Sequence, residues 1–507
     1  MKATRTSANN LEATTKSRGS SWVAAIVLLL SVACGAADVR PEKPEPRVEK
    51  TAVQLRIAGV PSDGIICFEM KLNSVVAKAA DGTTTTLVSN PIRVEVMHWA
   101  GDNETVAVTK LRRGRYTQIA IAATGARMTY LNAVTNLLVT KQLSKSYNTT
   151  IQFNPALTVG ATPVVLNLQI SPTNIVNTLG MGNSGIRNTG EMFRVKATQV
   201  STLGLQKPET GRVDRIVGSV TNISSGSLTL TDGQTGSGLT FTADHNTRFY
   251  NASLSTLQGL IVAVRGRSAK DGSLVATDVE ALESHSGAVM EGVVSGYIPN
   301  SNVVTLASQD GSGDGMKSSI IGSGVSVDPS NNPNFVVDTH DMDMTGLESL
   351  QFDINSLVLG QHVQVQSMRA IQRDSNGNAA LVVPETVKLE PQTLTGTVAN
   401  YQSGNTPGTF TFDLVFATDA SMNVLNPFFY TMHVYQQRGA DLQKLSAAIS
   451  DGATVRVWGL VFYSPLPQGS SVKPSIKATG ERAVRLLGHR QNEPAFIMVA
   501  GRISSNQ

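Results

Sequence analysis

A chain of 507 residues is too long for one hydrophobic core, and at roughly 100–200 residues per domain it is expected to hold about three to five units. Its hydrophobic content of 41% is ample for cores, while a charged fraction of only 16% with abundant Gly, Ser, Thr, Asn and Val favours strands and turns over solvent-facing helices, predicting an all-β protein. Of the net charge of +4, Lys2, Arg5, Lys16 and Arg18 against Glu12 place +3 ahead of Cys34, and the remaining charge of about +1 argues against a broad electrostatic footprint for nucleic acid.

The apolar run Trp22–Val32 follows Lys16 and Arg18 and is followed by small residues. It is shorter than the about 20 residues of a spanning helix but suits the h-region of a secretory signal, with a buried core helix as the plain alternative. Leu30-Ser31-Val32-Ala33-Cys34-Gly35 resembles the lipobox of bacterial lipoproteins, departing from it at Ser31, where the family carries an aliphatic residue; ordinary cleavage after Ala36 or Ala37 stays open. The resemblance implies a signal peptide over 1–34, lipidation (palmitate among the acyl chains) at Cys34, and the membrane as a partner through that lipid, since more than one acyl chain gives stable attachment. With Gly35 next, it implies a cell-envelope location at the outer membrane of a Gram-negative cell. Cys67 is the other of only two cysteines, so no disulfide framework is expected; a buried Cys67 thiol follows if Cys34 is acylated, and a Cys34–Cys67 bond is the alternative. Residues 35–50, with Pro41, Pro44 and Pro46 among alternating charges, read as an extended tether.

From 51 to 176 the chain reads as an antiparallel β-sandwich. Val53–Ile57, Ile92–Val96 and Ile119–Ile121 alternate apolar and polar residues as half-buried strands do, Thr149–Phe153 and Val164–Ile170 continue the series, and turns are signalled at Ala80-Asp81-Gly82, Gly101-Asp102-Asn103 and Arg113-Gly114-Arg115. One helix is expected near Met128–Leu143. Val53–Ile57, Leu111–Ile119 and Val164–Ile170 together resemble an uncharacterised domain family of bacterial lipoproteins with a transthyretin-like or carbohydrate-binding-like sandwich, departing near Pro61-Ser62-Asp63. Trp99 and Tyr116 are candidate ligand-stacking aromatics, with a core role as the plainer reading.

Residues 177–210, rich in Gly, Asn and Thr, read as a linker. They contain a formal G-x-G-x-x-G at Gly180–Gly185, but no buried strand and helix flank it as a dinucleotide site needs.

A pattern then recurs three times, over 211–285, 286–390 and 391–507. Each copy opens on an x-G-x-V strand at Gly218, Gly292 or Gly396, and each has a second glycine before its central strand at Gly259, Gly360 or Gly452, so the spacings are 41, 68 and 56 residues. The first copy closes on Asp271–Val279, the second on Ala380–Val387 and the third on Ile476–Thr479, with a loop at Phe428–Tyr430 and a short helix over Ala440–Ile449 added in the third. Five short strands in this order suit a small barrel of OB type, and the copies resemble an uncharacterised β-module family found in tandem in bacterial envelope proteins. An OB-like barrel raises nucleic-acid binding, but with aromatics at 5% and strands of Val, Leu, Thr and Gln, nucleic acid is not expected as a partner.

Candidate sites gather in the acidic, Gly-rich insertion of the second module. Asp310 and Asp314, within Asp310–Gly315, offer oxygens at alternate positions for Ca²⁺ but lack the distal bidentate Glu of an EF-hand loop; a solvated turn is the alternative. Asp338, His340, Asp341 and Asp343 mix carboxylate and imidazole as a transition metal prefers, with Asp341 and Asp343 on one strand face and His340 on the other. His98, His245, His285, His362, His433 and His489 stand apart from any local carboxylate or Cys pattern. Neither a G-x-S-x-G elbow nor H-E-x-x-H is present, so no catalytic residue and no resident cofactor is assigned. The expectation is a lipid-anchored envelope protein with a non-catalytic binding or structural role, a polysaccharide or an envelope protein as partner; a carbohydrate-binding or adhesive protein and an envelope hydrolase are the alternatives.

Overall fold

Alternating Val, Ile, Leu and Thr make strands, and strands dominate the computed structural model, which describes residues 49–60, 65–98, 103–131, 138–143, 146–172, 192–200, 211–233, 235–283, 288–298, 301–313, 324–339, 342–344, 347, 350–367, 372–373, 379–403, 410–416, 431–443, 449–463 and 496–505. All of these lie in one compact unit, Val48–Gln507. Among the described residues no helix is long and apolar enough to cross a membrane. The fold is all-β: an N-terminal sandwich followed by three barrel-like modules.

The sandwich uses β1 (Lys50–Gly59), β2 (Ile65–Ala79), β3 (Thr84–Val88), β4 (Ile92–Glu95), β5 (Glu104–Arg112), β6 (Gly114–Leu131), β7 (Leu138–Leu143), β8 (Tyr147–Val159), β9 (Val164–Ile170) and β10 (Phe193–Gln199). One sheet has the order β10-β9-β1-β5; the other runs β3-β2-β6-β7, with β4 also on β2 and β8 on β6. Their facing apolar residues, among them Val53, Leu55, Phe68, Ile119 and Leu166, form one core. Two expectations are corrected here. Met128–Leu131 and Leu138–Leu143 are strands, paired to each other and, for Met128, to Phe68 of β2; the barrier to a helix is tertiary, since β2 offers a full ladder. The expected linker is part structure, because Phe193–Gln199 pairs antiparallel with β9 and Phe193 is buried in the sandwich core.

The first module comprises β11 (Arg212–Ser224), β12 (Ser227–Asp232), β13 (Gly238–Tyr250), β14 (Ile261–Ser268) and β15 (Leu274–Glu283), closed in the order β11-β12-β13-β15-β14. The third repeats it with β24 (Gln392–Ser403), β25 (Phe410–Val415), β26 (Thr431–Gln443), β27 (Thr454–Tyr463) and β28 (Phe496–Ser505), closed as β24-β25-β26-β28-β27. The second module has β16 (Ala288–Tyr297), β17 (Val304–Gly313), β18 (Gly324–Val327), β19 (Asn334–Val337), β20 (His362–Ser367), β21 (Gln372–Arg373), β22 (Ala379–Val382) and β23 (Thr386–Leu389) in one sheet, β19-β23-β20-β16-β17-β18-β22-β21. Its β22 and β23 correspond to β15 interrupted at Val383-Pro384-Glu385. Proline cannot donate to a ladder, so it falls where one strand becomes two.

The paired glycines of the repeat have distinct physical jobs. A Cβ at Gly218, Gly292 or Gly396 would lie 2.4, 2.3 or 2.8 Å from the carbonyl oxygen of Thr231, Ala307 or Val415 on the neighbouring strand. Gly259, Gly360 and Gly452 have φ of 75°, 87° and 84°, the left-handed conformation that glycine adopts without strain. Each of the latter donates its N–H to the opening strand, Gly259 to Val220, Gly360 to Val294 and Gly452 to Val398, at 2.9, 2.8 and 2.8 Å. The same pin therefore recurs in all three copies. In the third, the closing strand is Phe496–Ser505, parallel to β26 and antiparallel to β27, while the Ile476–Thr479 segment expected to close it lies outside the described residues. Ala440–Gln443, expected in a short helix, belongs to β26.

The modules are not beads on a string. In β1, Val53, Leu55 and Ile57 face the sandwich core, yet the polar residues of the other face, Gln54 and Arg56, are equally inaccessible at 0%. The first module covers them: Gln54 Nε2 donates to the Gly272 carbonyl at 2.9 Å, and Arg56 donates to the Arg212 carbonyl at 2.8 Å and to Ser268 Oγ at 2.9 Å. Gln309 of β17 donates to the Ile66 carbonyl at 2.8 Å, and Gln361 reaches the Val461 carbonyl at 3.1 Å. Ile66 and Cys67 of the sandwich share one apolar cluster with the second and third modules.

Candidate functional site

The polar face of β20 explains where ionisable groups collect. Val363 and Val365 point into the second module's core, so His362, Gln364 and Gln366 point away from it, towards the sandwich and the first module. Beside them in the antiparallel register, Glu291 of β16 is paired with Gln364 on one side and with Asp310 of β17 on the other. His98, on the turn that follows β4, closes the cluster from the sandwich. The ligand atoms of His98, Glu291 and His362 all lie within 4.8 Å of one another.

Each of these side chains is held from behind. His362 Nδ1 lies 3.2 Å from the Pro391 carbonyl, which makes Nδ1 the protonated nitrogen and leaves the lone pair on Nε2. Nε2 is buried with no hydrogen-bond partner. Glu291 Oε1 accepts from Gln364 Nε2 at 2.5 Å and from Arg215 Nη1, leaving Oε2 to face His98 Nε2 at 3.7 Å. Gln366 donates in turn to Gln364 at 2.8 Å. The His98 turn is braced by Glu95, whose carboxylate accepts from the backbone N–H of Phe68, Met97 and His98 at 2.7, 3.1 and 2.7 Å. The two imidazole rings lie 5.7 Å apart, tilted by 57°.

Burial sets the protonation states. It pushes Glu95 up to about 8 against those backbone donors, and it pushes His98 down to about 4, holding its ring neutral despite Glu291. Burial would raise Glu291 too, but Arg215, then His98 and His362, outweigh it and hold Glu291 at about 2. Asp310 is raised well above the usual carboxylate range by burial and by Asp232 and Glu291 nearby. For Arg215 burial acts downward, but Glu390 and Glu291 more than reverse it, so its guanidinium stays charged. Around it, Lys388 contacts Glu280 at 3.0 Å and Asp338 at 3.8 Å, and Arg265 contacts Asp338 at 3.3 Å. The first and second modules thus meet through buried and half-buried opposite charges.

Of the residues marked from sequence, Asp310 alone joins this cluster: it stands on a strand, its Oδ1 accepting from Gly311 N–H at 2.6 Å and its Oδ2 3.9 Å from His98 Nε2. Asp314, His340 and Asp341 lie outside the described residues, as do Cys34, Trp99 and Gly180–Gly185; Asp343 is exposed. Cys67 is the buried thiol expected of it, lifted well above its ordinary value by burial, and Tyr116 is a core residue whose hydroxyl donates to the Arg112 carbonyl at 2.9 Å. Nothing local marks His98 or His362 as ligands, since Glu95, the carboxylate nearest His98 in sequence, is spent on backbone N–H groups. The available signal was the alternation His-Val-Gln-Val-Gln in β20, which reads equally well as a solvent-facing stripe.

Residues 217–280, almost the whole of the first module, match the model of a domain of unknown function, DUF5666. No curated protein matches the chain. Among solved structures, Drosophila Unr CSD456 is similar at 9% identity and a TM-score of 0.11, over 50% of this chain and 92% of that one. A multidomain protein with nucleic acid binding domains from Streptococcus pneumoniae TIGR4 is similar at 9% identity and a TM-score of 0.09, over 51% of this chain and 75% of the other. None of these names an enzymatic activity. The exclusion of nucleic acid as a partner is corrected by the second neighbour, named for nucleic acid binding. The physical fault lay in the test applied: sparse aromatics count against base stacking but not against phosphate contacts, which polar side chains and backbone N–H groups also make. Likeness at these TM-scores assigns no partner in its place.

Proposed function

We propose that the protein is a lipid-anchored component of the bacterial cell envelope with a non-catalytic, structural or binding role. The observation that carries this reading is the lipobox-like Leu30–Gly35, with an acylatable Cys34, followed by a charged, proline-rich stretch that ends where β1 begins at Lys50. It is supported by the use of ionisable residues at the domain junctions, where Arg56, Arg215, Glu291 and Lys388 are buried against neighbouring domains instead of lining an open cleft. Attachment near the N-terminus would then carry a body of sandwich and barrels as one piece. Metabolic labelling with a palmitate analogue and membrane fractionation test it. The wild-type chain should take up label and sediment with membranes, and Cys34→Ala should abolish both; equal labelling and sedimentation of the variant would refute the anchor.

A further inference from the structure

We propose that His98, Glu291 and His362 form a binding site for one divalent transition-metal ion of the zinc class, tying the sandwich to the second module. Nothing in the family match or the structural neighbours assigns such a site, and the inference stands apart from the envelope reading.

The separations carry it first. His98 Nε2 lies 3.7 Å from Glu291 Oε2, and His362 offers a ligand atom within 4.8 Å of those of His98 and Glu291. At 3.7 Å, His98 Nε2 and Glu291 Oε2 stand beyond hydrogen-bond length from each other. With metal–ligand bonds of about 2.0–2.1 Å, the edges of a tetrahedron are roughly 3.3–3.5 Å, so seating an ion draws the His98–Glu291 edge in by a few tenths of an ångström and the edges to His362 by at most about 1.5 Å.

The orphaned nitrogen carries it second. His362 is 7% exposed, its Nδ1 is committed to the Pro391 carbonyl, and its Nε2 has no hydrogen-bond partner. Leaving a buried acceptor unmatched is costly, and an unmatched ring nitrogen on a histidine grouped with a second imidazole and a carboxylate is what a metal ligand presents. The supports behind each ligand are those that orient metal ligands generally: a backbone carbonyl behind His362, Gln364 and Arg215 behind Glu291, and the Glu95 collar behind the His98 turn.

Charge decides the kind of ion. Arg215 faces Glu390 as well as Glu291, so with Glu390 set against Arg215, the Glu291 carboxylate is left to offset part of the charge of a 2+ ion. Two imidazoles with one carboxylate suit zinc-class ions; calcium takes six to eight oxygens, which this pocket lacks among the described residues. Because His98 comes from the sandwich and the other ligands from β16 and β20, the ion would be an interdomain staple.

The test uses the full, untagged chain, stripped with a chelator and titrated with Zn²⁺ and separately with Co²⁺. One equivalent of zinc per chain is expected, and cobalt should develop visible absorption bands from nitrogen and oxygen ligation. His362→Gln should weaken zinc binding by more than about a hundredfold, beyond the ten- to hundredfold effect typical of residues behind the ligands. Asp343→Asn, at the exposed aspartate, should leave it unchanged. Zinc binding below a tenth of an equivalent at micromolar metal, or equal affinity in wild type and His362→Gln, overturns the site in favour of a metal-free, water-bridged polar cluster. Because the wild-type titration decides the first outcome alone, a variant that misfolds does not rescue the idea.

Discussion

Replacing Arg56 by Met tests whether the sandwich and first module are welded by a buried guanidinium. Methionine keeps much of the apolar stem but removes donors to the Arg212 carbonyl, Ser268 Oγ, Gln54 Oε1 and Asn103 Oδ1. Ser268 still donates to Gln54 Oε1 at 2.9 Å, so the largest losses fall on the Arg212 carbonyl and Asn103. At about 1–3 kcal/mol for each buried acceptor left without its donor, offset in part because a guanidinium no longer has to be desolvated, the junction should weaken by about 3 kcal/mol. That corresponds to an increase on the order of a hundredfold in local opening. Hydrogen exchange read by mass spectrometry should show faster exchange in peptides covering β1 and the 268–274 turn of the first module, with β24–β28 unaffected. Unchanged exchange at 268–274 would refute the reasoning, since it would mean that the apolar contacts alone hold the junction.

The two glycine classes of the repeat predict different penalties. Gly292→Ala, whose Cβ would meet the Ala307 carbonyl, should cost about 1–3 kcal/mol in denaturant unfolding, whereas Gly452→Ala, with open space but a left-handed φ, should cost about 1 kcal/mol; the reverse order would contradict the close-approach argument. Cys67 should resist alkylation in the native chain and react on unfolding, as located by peptide mass mapping; rapid native labelling would place it at the surface. Burial raises Glu69 above its ordinary value of 4.5 in spite of Arg127 and Arg93. A carboxyl raised on folding stabilises the folded state below its unfolded value and loses that contribution as pH rises through its folded value. Glu69→Gln should therefore gain on wild type between pH 4 and pH 7 in urea unfolding, and a loss over that range would show that its arginine pairs dominate.

What could be read from the sequence was local. The strand Val164–Ile170 is bounded as its alternation indicates, and the glycine pairs mark the barrels because a close approach and a left-handed turn each demand glycine at one position. What could not be read was what covers a polar strand face. Gln54 and Arg56 in β1, and His362 and Gln364 in β20, alternate with apolar residues just as solvent-facing positions do, yet another domain buries them. The cluster drew on this blind spot, since His98, Glu291 and His362 belong to different elements and meet only when β16 and β20 pair and the sandwich docks. Met128–Leu143 failed for a related reason: its composition allows a helix, and the exposed ladder of β2 is invisible until β6 has neighbours.

The position of β1 bears on how the molecule would take mechanical load. A pull on the chain ahead of Lys50 enters along β1, which is bonded over its length to antiparallel β5 from Lys50 to Ile57 and to parallel β9 from Val53 to Gly59. Force directed along that axis loads two ladders together in shear, so the bonds must fail as a group and not one after another as in unzipping. Arg56 adds a cross-tie, passing part of the load from the sheet into the first barrel before any strand has to slide.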